Sequence, residues 1–321
     1  MKLFETKLSD DSIKKISETL KSGNLGFGSN VPVFEERFSE FSKKPYNVSV
    51  NSASAAAFMI FSYFRQMYGT CDVYTTSLGF TSPAWAAKHF GHNLYFVDVQ
   101  EDLQFCAEHY KHTRIGSSNK KIVMPVLYGG VSNINGFDLV GDEIVVVDSA
   151  HCVTPTIECD YCFFSFHPYK PICTSDGGMI STNIKHANEY FRFYRNFGRN
   201  QKGLSYDIVQ QGFKFYMNNL NATIGLTQID EYHENTEKRK QQYNKLSKHY
   251  DLLPHDKNSS YYFATTLVDE ADEIIEKYQL SRHYPMLHKT TFYDSKVTLE
   301  KLESVHSKIL NLPLTAEWNI K

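Results

Sequence analysis

Residues 163–181 read FFSFHPYKPICTSDGGMIS, and one lysine, Lys170, stands there between two prolines at the exit of an apolar, aromatic run. A lysine amine in a buried setting can act as a nucleophile toward a carbonyl carbon. Groups of complementary chemistry follow other apolar runs: Asn51, Ser52, Ala53 and Ser54 after YNVSV, Ser77 to Phe80 after DVYTT, Asp148 closing EIVVVD, and Ser165 in CFFSF. Taken singly, each has an ordinary reading. Ser54 serves equally well as a helix cap, Asp148 as a turn residue, Phe80 as core and Lys170 as a loop lysine. Taken together they supply an amine, a carboxylate, an aromatic face and hydroxyls.

That combination is what pyridoxal 5'-phosphate (PLP) requires. Its aldehyde needs a lysine amine and its pyridine nitrogen a carboxylate. Its phosphate needs hydroxyls and the amides of a helix N-terminus, and its ring needs an aromatic or apolar platform.

Elements must bring these residues to one place, and the pattern supplies them. Short apolar runs (YNVSV, DVYTTS, NLYFVDV, KIVMPVLY, EIVVVD, CFFSF) alternate with turns or helical stretches such as SAAAFMIFSYFRQMYG and SPAWAAKHFG. Near-continuous apolar strands alternating with helices predict an α/β fold around a mostly parallel sheet. In such a sheet, ligands bind at the carboxyl ends of the strands, where the residues above stand. Two helices, over 10–22 and 31–43, are expected to precede the sheet. From Gln228 the charge-laced QIDEYHENTEKRKQQYNKLSKHY predicts a long solvated helix, followed by the strand-like YYFATTLV and the helix DEADEIIEKYQL. We therefore expect a large domain over 1–228 and a smaller C-terminal α+β domain over 229–321. The polar, glycine-punctuated stretch 196–212 is expected to be a mobile loop.

Composition narrows the classes. The 321 residues are 41% hydrophobic and 22% charged with a net charge of −2, which predicts no nucleic-acid footprint and no polybasic membrane patch. The N-terminus lacks the apolar core of a signal peptide and no run approaches a membrane span, so a soluble cytoplasmic protein is expected. Cys159 and Cys162 have a zinc-knuckle spacing, but in a strand they point to opposite faces and no second such pair exists. Buried structural thiols are the better reading, and no metal is expected.

The order of these segments resembles the DegT/DnrJ/EryC1/StrS family of PLP-dependent nucleotide-sugar aminotransferases. SGNLGFGSNVPVFEERFSEF resembles the family's entry segment, VNSASAAAF its phosphate turn, and SLGFTSPAWAAKHFGHNLYFVDV the stretch carrying the ring-stacking aromatic. VVVDSAH resembles its Asp-x-x-His/Gln motif and SFHPYKPICTSDGGMIST its lysine segment. GFKFYMNNLNATIGLTQID resembles a segment contributed by the partner subunit, and LHKTTFYD with ILNLPL the C-terminal signature. The resemblance covers most of the chain and implies PLP fold type I, the aspartate-aminotransferase-like fold. It further implies a homodimer with shared active sites, and a reaction passing an amino group from glutamate, which becomes 2-oxoglutarate, to a nucleotide-sugar substrate.

Residue roles implied by the resemblance follow position by position. Lys170 would bind the cofactor's aldehyde and later carry a proton, Asp148 would pair with the pyridine nitrogen, and His151 would contact the phenolic oxygen or the ring. Phe80 would stack on the ring, Ala53, Ser54 and Ser165 would hold the phosphate, and Lys214 would reach the phosphate of the neighbouring subunit. Ala53-Ser54 stands where the family has Gly-Thr, Lys214 where it has Asn, and Tyr216 where it has Arg. The segment after Lys170 resembles members that aminate C4 of the sugar. The alternatives are a 3-aminating enzyme, a dehydratase of the same family, in which histidine generally replaces the lysine, and a non-catalytic PLP-binding relative. By position, loop 198–211 and the His283–His288 region are expected to read the sugar.

Overall fold

The computed structural model describes residues 8–139, 141–202 and 204–315. Two helices, α1 (Asp10–Ser22) and α2 (Asn30–Ser42), lead into β1 (Tyr46–Val50), α3 (Ala53–Tyr68), β2 (Asp72–Thr76), α4 (Thr81–His89), β3 (Asn93–Val97), α5 (Ala107–Thr113) and β4 (Lys121–Met124). Then follow β5 (Ile144–Asp148), β6 (Tyr161–Ser165), β7 (Gly178–Thr182), α6 (Lys185–Tyr194), β8 (Arg199–Lys202), β9 (Ser205–Ile208) and α7 (Asn219–Leu246). The chain ends through β10 (Ala264–Leu267), α8 (Ala271–Tyr278), α9 (Glu300–Val305) and β11 (Ile309–Leu312).

Seven strands form one sheet in the order β1-β7-β6-β5-β4-β2-β3. The pairs from β6 to β3 are parallel, whereas β7 runs antiparallel to both β6 and β1. Adjacent residues feed opposite faces, as the period of two requires. Val147, Phe164 and Val123 join one core with Phe34 and Phe38, while Val146, Phe163 and Ile122 join another with Ile60 and Phe64. Both faces are therefore covered, which explains the near-continuous apolar strands. A third core joins Leu78, Phe96 and Tyr128 to Phe263, Leu287, Leu310 and Leu312, so the C-terminal elements pack against the end of the sheet.

Two expectations are corrected. The stretch read as a mobile loop contains a hairpin: β8 and β9 pair from Arg199↔Ile208 to Lys202↔Ser205. Its apolar residues face solvent, which hid it from a burial-based reading, and Arg199 packs its guanidinium over the rings of Phe197 (4.8 Å) and Tyr206 (4.4 Å). The charged helix also begins nine residues earlier than read, at Asn219, because Asn218 caps it by accepting the Asn221 N–H at 2.8 Å.

A buried ion cluster fixes the end of β1 from which the site begins. Glu35 of α2 accepts from the Ser49 N–H (3.0 Å) and Oγ–H (2.8 Å), from Arg195 (2.5 Å) and from Arg192 (2.9 Å). Burial alone would raise the Glu35 carboxyl, but Arg195 and Arg192 more than offset it and hold it below its ordinary value. A depressed carboxylate stabilises the fold above its unfolded pKa, and that contribution is lost as pH falls through the folded value. Glu35→Ala leaves the Arg195 guanidinium buried without its partner. It is expected to cost about 3–5 kcal/mol at neutral pH, read from denaturant unfolding.

Candidate active site

Asp148 closes β5, in register with Phe163 of the neighbouring parallel strand β6, and Lys170 follows the end of β6. After β6 the chain turns back on itself. The Phe166 N–H donates to Gly177 O (2.9 Å), the Thr174 N–H to Phe166 O (2.9 Å), and the Lys170 N–H to His167 O (2.9 Å). This loop carries the lysine inward. Lys170 is half-buried as a residue, but its amine lies over the Tyr262 ring, 4.5 Å from the centroid, and donates to Tyr262 Oη at 3.2 Å.

The surroundings set the charge states. Asp148 is only 3% exposed and its carboxylate accepts the Ala150 N–H at 3.0 Å. Burial pushes its pKa up to about 6, against the opposing pull of that N–H and of Lys170. Burial likewise lowers the Lys170 amine to about 7, with Asp148 working against the fall. A lysine brought that close to neutrality is a usable nucleophile and proton carrier.

His151, 3% exposed, stands three residues beyond Asp148 in a cage of rings. Tyr262 lies 4.3 Å away between centroids, Phe263 5.5 Å, Tyr284 5.9 Å and Tyr128 6.1 Å. Its Nε2 pairs with Tyr284 Oη at 2.9 Å, while Nδ1 is buried with no hydrogen-bond partner. Burial, then the nearby Lys170 and His283, hold its pKa well below the ordinary value, so the imidazole is neutral. An unpaired buried ring nitrogen is costly unless a ligand completes it.

Hydroxyls and amides gather at the adjoining sheet edge. Ser165 of β6 is in register with Gly178 of β7, which in turn faces Val50 of β1. Ser52 caps α3 by accepting the Ala55 N–H at 3.1 Å, leaving the helix to open at Ala53 and Ser54. A Cβ on Gly178 would lie 2.6 Å from Ser52 C and 2.7 Å from Ala53 N, so only glycine lets β7 approach the helix opening this closely. Ser54 is exposed there and donates to Ser82 Oγ at 2.8 Å.

Two candidates sit differently. Phe80 immediately precedes α4, is 53% exposed, and meets the edge of Tyr284 at 5.8 Å; the sequence alone allowed it as core, but it faces outward. Lys214 lies beside Asn51, whose Nδ2 donates to Lys214 O at 3.3 Å, and its amine rests 5.8 Å over the Tyr216 ring. Its described contacts are thus with Asn51, Asn196 and Tyr216 rather than with Lys170 or Asp148. Tyr262 was missed from sequence, and Tyr284 was covered only as part of the His283–His288 region expected to read the sugar. Tyr262 lies 92 residues from Lys170 and Tyr284 133 residues from His151, with no motif to signal either contact.

A Ser-His-Glu series also ends near Phe80. Ser77 Oγ lies 2.6 Å from His288 Nδ1, and His288 Nε2 lies 3.0 Å from Glu303 Oε1. The order matches a hydrolase triad, but Ser77 and His288 are fully buried and Ser77 Oγ already accepts the His288 backbone N–H at 3.0 Å. With no access for a substrate carbonyl, it is a clasp joining the end of β2 to the C-terminal elements. His288→Ala strands the buried hydroxyl and is expected to cost about 2–3 kcal/mol, read as a lowered denaturant midpoint at unchanged slope.

A profile of the DegT/DnrJ/EryC1/StrS aminotransferase family matches residues 6–320. The chain belongs to this aminotransferase family. Its seven-stranded, mostly parallel sheet is the PLP fold type I of solved sugar aminotransferases. A spore coat polysaccharide biosynthesis protein of Bacillus subtilis is 29% identical over 68% of this chain and 61% of its own length. A UDP-4-amino-4,6-dideoxy-N-acetyl-beta-L-altrosamine transaminase of Campylobacter jejuni is 23% identical over 98% of this chain and 92% of its own. A structure of a candidate sugar aminotransferase of Streptococcus pneumoniae in its PLP form superposes with a TM-score of 0.88, at 21% identity, over 99% of this chain and 94% of that one. Among the described residues no helix is long and apolar enough to cross a membrane.

Proposed function

We propose that this enzyme is a PLP-dependent aminotransferase that moves an amino group from glutamate to a nucleotide-linked keto-deoxysugar, at C4. The observation that carries the reading is the desolvated Lys170 amine coupled to the buried Asp148 carboxylate, with the helix opening of α3 at the adjoining edge of the sheet. Fit to the cofactor has a separate support in the unpartnered Nδ1 of His151, a buried polar atom that lacks only a ligand. The α3 amides beside Ser54 and Ser165 suit a phosphate.

When bound, PLP supplies an aldehyde that combines with amines and a ring that takes up electrons. Lys170 would hold that aldehyde and, once released, pass a proton at the substrate carbon, a task suited to an amine titrating at about 7. Asp148, ionised above about pH 6, would keep a ring nitrogen protonated. His151 would fix the ring's orientation, held in place by Tyr284. Ala53, Ser54 and Ser165 would bind the phosphate, and Phe80 would cover the ring. Lys214 would contribute across a homodimer interface, where its cation suits a phosphate.

The name of the Campylobacter relative supports C4, since the sugar it names carries an amino group at position 4. We also infer the division into a large unit over 1–228 and a smaller one over 229–321, with α7 crossing the join. The test is incubation with glutamate and a panel of 4-keto and 3-keto nucleotide sugars, with products identified by mass and NMR. A 4-amino sugar with matching 2-oxoglutarate is expected; amination at C3, or no transfer to any member, would overturn the reading.

A further inference from the structure

The Tyr262 hydroxyl meets the Lys170 amine from a segment far along the chain, and that segment is held firmly. The Tyr262 N–H donates to Gly129 O (3.0 Å) and the Ser260 N–H to Gly130 O (2.7 Å). Ser260 Oγ accepts the Val153 N–H and pairs with Tyr232 Oη, both at 2.8 Å, and Arg239 Nε donates to Ser260 O at 3.0 Å. Gly130, at φ +93°, has no room for a Cβ, which would sit 2.8 Å from His151 O and 2.9 Å from Tyr262 N. The ring also packs against the His151 imidazole at 4.3 Å. Tyr262 is thus fixed by the backbone beneath it and by the ring beside it, and its hydroxyl is presented to the amine.

We propose that Tyr262 is a positioning residue for Lys170: its hydroxyl receives the amine whenever that amine is free, sets where it points, and helps it keep its proton. The proposal deepens the reading of Lys170 given above and rests on that reading for its meaning in catalysis. Its physical basis is that a hydrogen bond from a charged donor is about twice as strong as a neutral one, so the hydroxyl favours the ammonium over the amine. The groups that act on Lys170 come from several elements. Asp148 at the end of β5 is the carboxylate, while His151, His167 and His283 are all held below the ordinary imidazole value, chiefly by burial. Burial also keeps Tyr262 itself a neutral phenol, its pKa well above the ordinary value. Near neutrality, Asp148 and the Tyr262 hydroxyl therefore oppose desolvation of the ammonium.

The test needs no bound cofactor. Protein freed of small molecules is labelled with acetic anhydride across a pH series, and modification of the Lys170 peptide is followed by mass spectrometry. In the wild type the labelling midpoint is expected at about 7. Tyr262→Phe keeps the ring and its packing on His151, and is expected to move the midpoint down by about one pH unit, a tenfold change in proton affinity. A midpoint that stays put or rises overturns the proposal. Thermal unfolding of Tyr262→Phe close to that of the wild type is expected, and a variant that loses the folded state would instead make Tyr262 a structural residue and also overturn it. Failure of the aminotransferase reading shows itself separately, as absent transfer from glutamate in the wild type.

Discussion

Lys170→Ala is expected to lower amino transfer by about 10⁴-fold or more, because on the proposed reading it removes both the nucleophile and the proton carrier. The loss falls on kcat, since the residues assigned to the phosphate and the ring remain. The fold is not expected to suffer, because the substitution removes an amine that burial already disfavours. Lys170→Arg sharpens the interpretation. Arginine keeps a positive charge beside Asp148 but does not deprotonate in a protein, so it serves neither as nucleophile nor as base. Both variants should therefore be equally inactive in a coupled 2-oxoglutarate assay. Substantial activity in Lys170→Arg would mean that charge, rather than a titrating amine, is what the site uses.

Asp148→Asn comes next in size, with an expected fall in kcat of about 10³-fold. The amide matches the carboxylate in shape and can still accept the Ala150 N–H, so packing is kept and only the charge is lost. The same change must reach Lys170, whose amine Asp148 helps to keep protonated. In the cofactor-free variant the Lys170 labelling midpoint should therefore fall below about 7. In the wild type the sign on the acid side is fixed by two groups. As pH falls through about 7 the free amine gains its proton, and through about 6 the Asp148 carboxylate is neutralised, so both changes remove the active charge states in the same direction. A variant with near-normal kcat would show that the carboxylate is a turn residue alone.

Much of this site was legible because its parts follow strands. Asp148, Ser165 and Ala53 each stand where a run of apolar residues gives way to polar ones, and a parallel sheet brings such junctions to one edge. The resemblance implied a role for Lys170, which alone read as a loop lysine, and the structure shows the turn of residues 166–177 bringing its amine to Tyr262. Tyr262 was not legible, and Tyr284 was legible only as part of the His283–His288 region, not as the partner of His151. Their side chains meet Lys170 and His151 only through packing of the C-terminal elements on the sheet, and local pattern carries no trace of that. The β8–β9 hairpin escaped for the opposite reason, since its outward-facing residues give no burial period to read. β7 (Gly178–Thr182) was not among the runs read as strands, and its antiparallel setting was invisible too. A short apolar strand reads alike in either direction, and the Gly178 contact with the α3 opening explains only why that strand must start with glycine.

The most direct measurement of the central claim is chemical. Protein loaded with PLP is reduced with borohydride, digested, and mapped by mass spectrometry, alongside Lys170→Ala treated in the same way. The account predicts a single added cofactor mass, on the peptide that carries Lys170, and none in the variant. Attachment at another lysine, or an unchanged map in the wild type, would contradict it.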